Sequence, residues 1–226
     1  MVMPNSDYKL HDSLNPKIWE GESLRKDVQV ALLKIALEFF KFLEVDVKLV
    51  DVIVSGSQAN FNYTKHSDLD LHLIVDYSKI SCELPVDELF EAKRLLWKEQ
   101  HDVTVHSIPV ELYVEDLAKP AVSSVYSILS NRWLKQPSRD IKPVDMQRVK
   151  QATARWHRII ALCLKKPNLS TCRKVKDMLK MYRQTGLAKG GEFNTANLVY
   201  KNLRNAGLVE KLMNTIRHLH DREMSL

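Results

Sequence analysis

The stretch VIVSGSQANFNYTKHSDLDLHLIVD, Val52 to Asp76, decides how the rest of the chain is read. An apolar run stops at Gly56-Ser57, and after a spacer of ten residues a second apolar run opens with Asp68-Leu69-Asp70. Side chains two apart in an extended strand share a face, which puts Asp68, Asp70, His72 and Ile74 on one side and Leu69, Leu71, Leu73 and Val75 on the other. The leucine side is expected to pack and the aspartate side to stay open. Charged residues are unusual inside a run as apolar as LDLHLIV unless one face is exposed or functional. His72 shares the aspartate face and reads as a polar residue tolerated there.

Two carboxylates on one strand face repel each other unless a cation lies between them. Magnesium takes carboxylate oxygens and keeps positions for water and phosphate oxygens, as phosphoryl-transfer chemistry requires. Gly56 allows a sharp turn and a close approach of backbone to ligand, and the Ser57 hydroxyl and nearby amides can donate to phosphate oxygens. The residues point to a site for a divalent metal and a nucleoside triphosphate.

Gly-Ser, the ten-residue spacer and Asp-Leu-Asp-Leu between apolar runs resemble the signature of the polymerase-β-like nucleotidyltransferase superfamily. The superfamily pattern continues with a third carboxylate on a later strand, and IPVELYV supplies Glu111 between apolar neighbours. The resemblance is specific over residues 52 to 114; the whole chain more loosely resembles nucleotidyltransferase-like proteins of large tailed phages that carry no assigned reaction. It implies an α/β (α+β) fold with a small mixed sheet flanked by helices, then a helical module. It also implies transfer of a nucleoside monophosphate from a triphosphate to a hydroxyl, with release of pyrophosphate. Asp68, Asp70 and Glu111 would be the catalytic metal ligands for two magnesium ions, manganese being an alternative, and Glu111 would hold metal or accept the hydroxyl proton. Gly56 and Ser57 would contact the nucleotide. Lys201 faintly resembles the helical-domain lysine that contacts triphosphate in cyclic-nucleotide synthases, although a solvated surface lysine is the plainer reading.

The chain has 226 residues, 45% of them hydrophobic and 27% charged, a globular balance that can bury a real core in one or two domains. Its apolar runs are too short to cross a bilayer, and MVMPNSDYKLHD lacks the features of a signal peptide, so a cytoplasmic protein with no membrane partner is expected. Cys82, Cys163 and Cys172 are odd in number and lack Cys-x-x-Cys spacing, which suggests buried small hydrophobes rather than a disulfide scaffold or thiolate metal site. The charge is divided unevenly. Residues 1–134 hold 14 Lys+Arg against 21 Asp+Glu, a net of −7, while residues 135–226 hold 20 against 7, a net of +13. A basic tail suits a polyanionic acceptor, above all an RNA end such as that of a transfer RNA; a solvated basic surface is the bland alternative.

The expected domains are a catalytic one over 1–138 and a basic helical one over 139–226, divided near KQPSRDIKP (135–143). Residues 1–22 read as an irregular arm. Ser23 would cap a core helix carrying Leu24, Val28, Leu32, Ile35, Phe39 and Leu43. Val47 to Ser55 is the first strand; Phe61, Asn62 and Tyr63 in the following loop could contact a base or simply pack. Leu69 to Val75 is the second strand, and a helix follows Pro85 to about Gln100 with Asp87 as cap. Thr104 to His106 and Val110 to Tyr113 read as short strands around Pro109, and 123–133 as a strand or loop. Helices are expected over 145–164 and 171–185, the second ended by Gly186, with outward Arg148, Arg155, Arg158, Arg173, Lys176, Lys180 and Arg183. Lys189-Gly190-Gly191 reads as a flexible basic loop, followed by helices through Asn205 and over 208–220.

Other acceptors stay open. A second nucleotide would make an oligonucleotide or cyclic-nucleotide synthase, a protein hydroxyl would make a toxin-like nucleotidylating enzyme, and an aminoglycoside suits the basic tail less well. A catalytically silent nucleotide- or RNA-binding module is the reading of another class.

Overall fold

The computed structural model describes residues 10–81, 85–120, 123–139 and 144–225. Three expectations fall outside these: the irregularity of residues 1–9, the burial of Cys82, and residues 140–143 of the Pro- and charge-rich stretch. The chain divides into two compact units, Asp7–Arg139 and Asp140–Leu226.

The first unit is built on a six-stranded mixed sheet whose strands lie, from edge to edge, in the order Thr104–Val105, Ile108–Asp116, Leu69–Val75, Leu49–Ser55, Val125–Ser127, Arg132–Lys135. Strands β3 (Leu49–Ser55) and β4 (Leu69–Val75) are antiparallel, whereas β4 and β6 (Ile108–Asp116) are parallel. Parallel neighbours need a long crossover, and α2 (Val86–Gln100) supplies it. The edge strand β5 (Thr104–Val105) joins β6 through His106 and Ser107, both at positive φ as a two-residue hairpin turn demands. Pro109 does not break β6: it faces the short edge strand, before the parallel ladder starts at Leu69 and Val110, so no central hydrogen bond is lost. The 123–133 region is a strand pair, β7 (Val125–Ser127) with β8 (Arg132–Lys135).

The leucine face forms the core as expected. Leu69, Leu71, Leu73 and Val75 are fully buried, with Val28, Leu32, Ala36 and Phe39 of α1 (Lys26–Leu43) and Phe90 and Trp97 of α2 in the same cluster. The N-terminal arm corrects the sequence reading, because Leu14, Ile18 and Trp19 are also buried in that core. Trp19 pairs with Leu24 in a small hairpin, β1 (Trp19–Glu20) and β2 (Ser23–Leu24). Ser23 is thereby a strand residue and not the helix cap; α1 starts at Lys26, with Asp27 in its first turn where the helix dipole favours a carboxylate. Likewise α2 starts directly after Pro85, ahead of Asp87.

The second unit is helical: α3 (Met146–Lys165), α4 (Leu169–Gly190), α5 (Thr195–Asn205) and α6 (Leu208–Met224). Asp145, Asn168 and Asn194 cap the first three, each accepting from a backbone amide of the first turn. Gly186 does not end α4. A Cβ there would lie 2.6 Å from both the Ala196 Cβ and Asn194 Oδ1, so its bare backbone is a close-packing point and the helix runs four residues further. Lys189 and Gly190 are accordingly helical and not loop. Cys163 and Cys172 are buried, with thiols 2.9 Å apart, and burial together with that contact pushes the Cys163 thiol up to about 11. Among the described residues no helix is long and apolar enough to cross a membrane.

Candidate active site

The end of β3 builds the first wall. Gly56 takes φ +72° and ψ −157°, a region open essentially to glycine, and turns the chain into a short 3-10 segment at Ser57–Ala59. A Cβ at Gly56 would fall 2.0 Å from Asp70 Oδ2, so the glycine lets the backbone lie directly against that carboxylate. The turn is fixed from below. Gln58 is buried, its Oε1 accepts from Asn15 Nδ2 at 2.9 Å, its carbonyl accepts from Trp19 Nε1 at 2.7 Å, and its Nε2 donates to the Ser67 carbonyl at 3.0 Å. Ser57 Oγ donates to Ser67 Oγ at 2.9 Å, which ties the Gly-Ser turn to the residue preceding Asp68.

The register across three strands brings the expected carboxylates into line. Ser55 of β3 pairs with Asp70 of β4, and Asp70 pairs with Glu111 of β6. Asp68 stands immediately ahead of β4. The Glu111 side chain, however, is engaged elsewhere: Lys98 Nζ of α2 donates to Oε1 at 2.8 Å, and Tyr113 OH donates to Oε2 at 2.6 Å. Burial pushes the Glu111 carboxyl up, but these two bonds and the charges of Lys98 and Arg94 outweigh it and hold it below the ordinary glutamate value. Burial also drives the Tyr113 phenol far above its usual range, helped by the Glu111 bond and by the charges of Glu111 and Asp70. Arg94 lies over the Tyr113 ring, 5.2 Å from its centroid.

Among the described residues no three His, Cys, Asp or Glu side chains converge as a metal-binding group. The donor set suits a hard divalent ion in kind, being carboxylates on neighbouring strands, one of them lying against the bare backbone of Gly56. For Glu111 to join it, its oxygens must leave Lys98 and Tyr113.

His72 is far from being merely tolerated. Its Nε2 is 2.9 Å from Ser55 Oγ, its ring stacks on Tyr113 with centroids 4.9 Å apart, and its Nδ1 is 3.4 Å from Glu115 Oε1. Lys119 Nζ also donates to Glu115 Oε1, at 2.6 Å. The His72 contact, set against burial and assisted by Lys119, holds the Glu115 carboxyl down to about 2. The aspartate face is thus half-buried rather than bare, and at its other end Ile53, Ile74 and Val125 form a small apolar cluster. Nothing in the one-dimensional pattern announces the Ser55, His72 and Glu115 association, because it depends on the register of three strands.

The loop aromatics pack. Tyr63 stacks on His11 at 3.9 Å between centroids, and Phe61 lies against the core beneath the Arg139 guanidinium. In the helical unit, Lys201 is half-buried on α5. Arg148, Arg155, Arg158, Arg173 and Lys180 are exposed. Lys176 instead pairs with Asp177 at 3.3 Å, and Arg183 turns inward, donating to Asn197 Oδ1 at 3.1 Å with its guanidinium 4.3 Å from the Tyr200 ring centroid. Compared with family models, curated proteins and solved structures, the chain matches none of them.

Proposed function

We propose that the chain is a metal-dependent nucleotidyltransferase of the polymerase-β-like kind, acting in the cytoplasm. It would move a nucleoside monophosphate from a nucleoside triphosphate to a hydroxyl, most naturally on RNA. The observation that carries this reading is the alignment of Ser55-Gly56, Asp70 and Glu111 on three neighbouring strands, with the Gly56 backbone against the Asp70 carboxylate. Asp68 and Asp70 would hold the magnesium, with Glu111 as the third ligand. When bound, the ion supplies charge stabilisation at the transferring phosphate and lowers the pKa of the attacking hydroxyl. Gly56 and Ser57 would donate to the phosphates, taking up charge that grows on the departing pyrophosphate. Exposed Arg148, Arg155, Arg158 and Arg173 offer sequence-independent affinity for an RNA backbone.

The engagement of Glu111 by Lys98 and Tyr113 favours a second reading, a silent nucleotide- or RNA-binding module on the same fold. One experiment separates them: the purified chain with magnesium and each α-labelled nucleoside triphosphate, with and without total RNA, beside Asp70→Asn. Label transferred by the parent chain and lost in the variant supports the enzyme, and the labelled species names the acceptor. Nucleotide or RNA binding without transfer supports the silent module.

A further inference from the structure

A serine, a histidine and a glutamate from three adjacent strands meet in sequence on the polar face. Ser55 Oγ is 2.9 Å from His72 Nε2, and His72 Nδ1 is 3.4 Å from Glu115 Oε1. His72 Nδ1 is buried and makes no hydrogen bond, and Glu115 Oε1 at 3.4 Å is an acceptor toward which it can donate; in that tautomer Nε2 accepts from the serine hydroxyl. Stacking on Tyr113 fixes the ring plane, and Lys119 donates to the same Glu115 oxygen that faces His72. Nucleophile, base and orienting acid therefore stand in the order that activates a hydroxyl, with the outer contact somewhat long, as is common without substrate. A buried polar cluster serving stability alone would account for the contacts but not for their address. Ser55 directly precedes Gly56 and is the cross-strand partner of Asp70, so its hydroxyl lies where the proposed nucleotide would present its phosphates.

We propose that Ser55 is itself a nucleotide acceptor: its hydroxyl attacks the α-phosphate of a bound nucleoside triphosphate and becomes a nucleotidyl-serine. This rests on the nucleotidyl-transfer reading and specifies an acceptor for it. The Oγ–Pα bond forms, the bond from Pα to the bridging oxygen of the β-phosphate breaks, pyrophosphate leaves, and the hydroxyl proton passes to His72 Nε2. Glu115 is a positioning residue, keeping the imidazole in the accepting tautomer.

The test uses the full chain with magnesium and α-labelled nucleoside triphosphates, in the absence and presence of RNA, followed by a denaturing gel and peptide mass mapping. The expected result is one nucleoside monophosphate on Ser55, present with α-label and absent with γ-label, and gone in Ser55→Ala. His72→Phe keeps a ring on Tyr113 but removes the base, and is expected to slow labelling by about 100-fold or more. Glu115→Gln is expected to slow it roughly tenfold, with the half-saturating nucleotide concentration unchanged, a split that loss of structure would not produce. Mapping on the parent chain decides the matter even where a variant fails to fold. Label on another residue, or label from the γ-phosphate, overturns the assignment. Label in RNA with none on the protein overturns it while leaving nucleotidyl transfer standing; label nowhere removes both.

Discussion

The two faces of one strand, β4, divide the work of the first unit. Leu69, Leu71 and Leu73 are wholly buried against α1 and α2, while Asp70 and His72, between them, are half-buried among polar partners. The leucines need only be apolar and of the right volume, so their role follows from period alone. Their neighbours depend on which side chain stands opposite: Ser55 and Glu111 flank Asp70, and Tyr113 pairs with His72. One face thus supplies stability through area removed from water, and the other spends some of it to hold charges near one another.

Substitutions should separate the faces. Leu71→Ala empties a fully buried site and is expected to cost about 2–5 kcal/mol, read as a lower urea midpoint, while the remaining folded protein keeps its specific activity. A fall in specific activity at full folding would show that the faces are mechanically coupled. Asp70→Asn should do the reverse, lowering the proposed nucleotidyl transfer more than about 100-fold if the carboxylate holds the metal, since even outer-shell changes cost 10–100-fold in metal sites, with a melting temperature near the parent's. Gly56→Ala belongs to both categories. Its new Cβ would overlap the Asp70 carboxylate, and the backbone strain adds roughly 1–3 kcal/mol; the expected result is loss of transfer together with a measurable drop in the melting temperature.

The same contrast explains what could be read from the sequence. The 2-residue and 3.6-residue periods gave β4 to the residue, the leucine core, and four C-terminal helices to within a few positions, because burial repeats with the backbone. Ser23 misled because a capping residue and a strand residue look alike until Trp19 is seen opposite Leu24. Gly186 misled because a glycine that ends a helix and one that lets Ala196 and Asn194 approach are the same letter. Asp68, Asp70 and the Gly-Ser turn were legible as candidates through spacing, and Glu111 through the family resemblance. The Lys98 contact to Glu111, the bonds of Gln58 to Asn15 and Trp19, and the approach of Glu115 to His72 were not, since each joins segments that only the folded chain brings together.

Acid titration gives a smaller test. The Glu115 carboxyl is lowered in the folded chain to about 2 from an ordinary 4.5. Its stabilisation is therefore full above the unfolded value and is lost as pH falls through the folded one. Glu115→Gln should be less stable than the parent at neutral pH, and the gap should close between about pH 4.5 and pH 2 in thermal unfolding. A gap independent of pH would assign the loss to packing instead of charge.

Lys98→Ala is the smallest and the most revealing, because this residue crosses the division. It sits on α2, whose Phe90 and Trp97 are in the leucine core, yet its ammonium holds Glu111. With its side chain 61% exposed, the pair contributes less than about 1 kcal/mol to folding, so the melting temperature should hardly move. The Glu111 carboxyl should titrate at a higher pH than in the parent, visible by carbon NMR, since a cation that lowers it is gone. If Lys98 competes with a divalent ion for the same oxygen, removing it should also raise manganese affinity in calorimetry. An interaction of that size limits the gain to roughly fivefold. Tighter manganese binding would mean that Glu111 belongs to the metal site and that the lysine keeps it neutralised until an ion arrives. Unchanged binding with a shifted Glu111 would place this glutamate outside the site, and would leave Asp68 and Asp70 as its only carboxylates among the three.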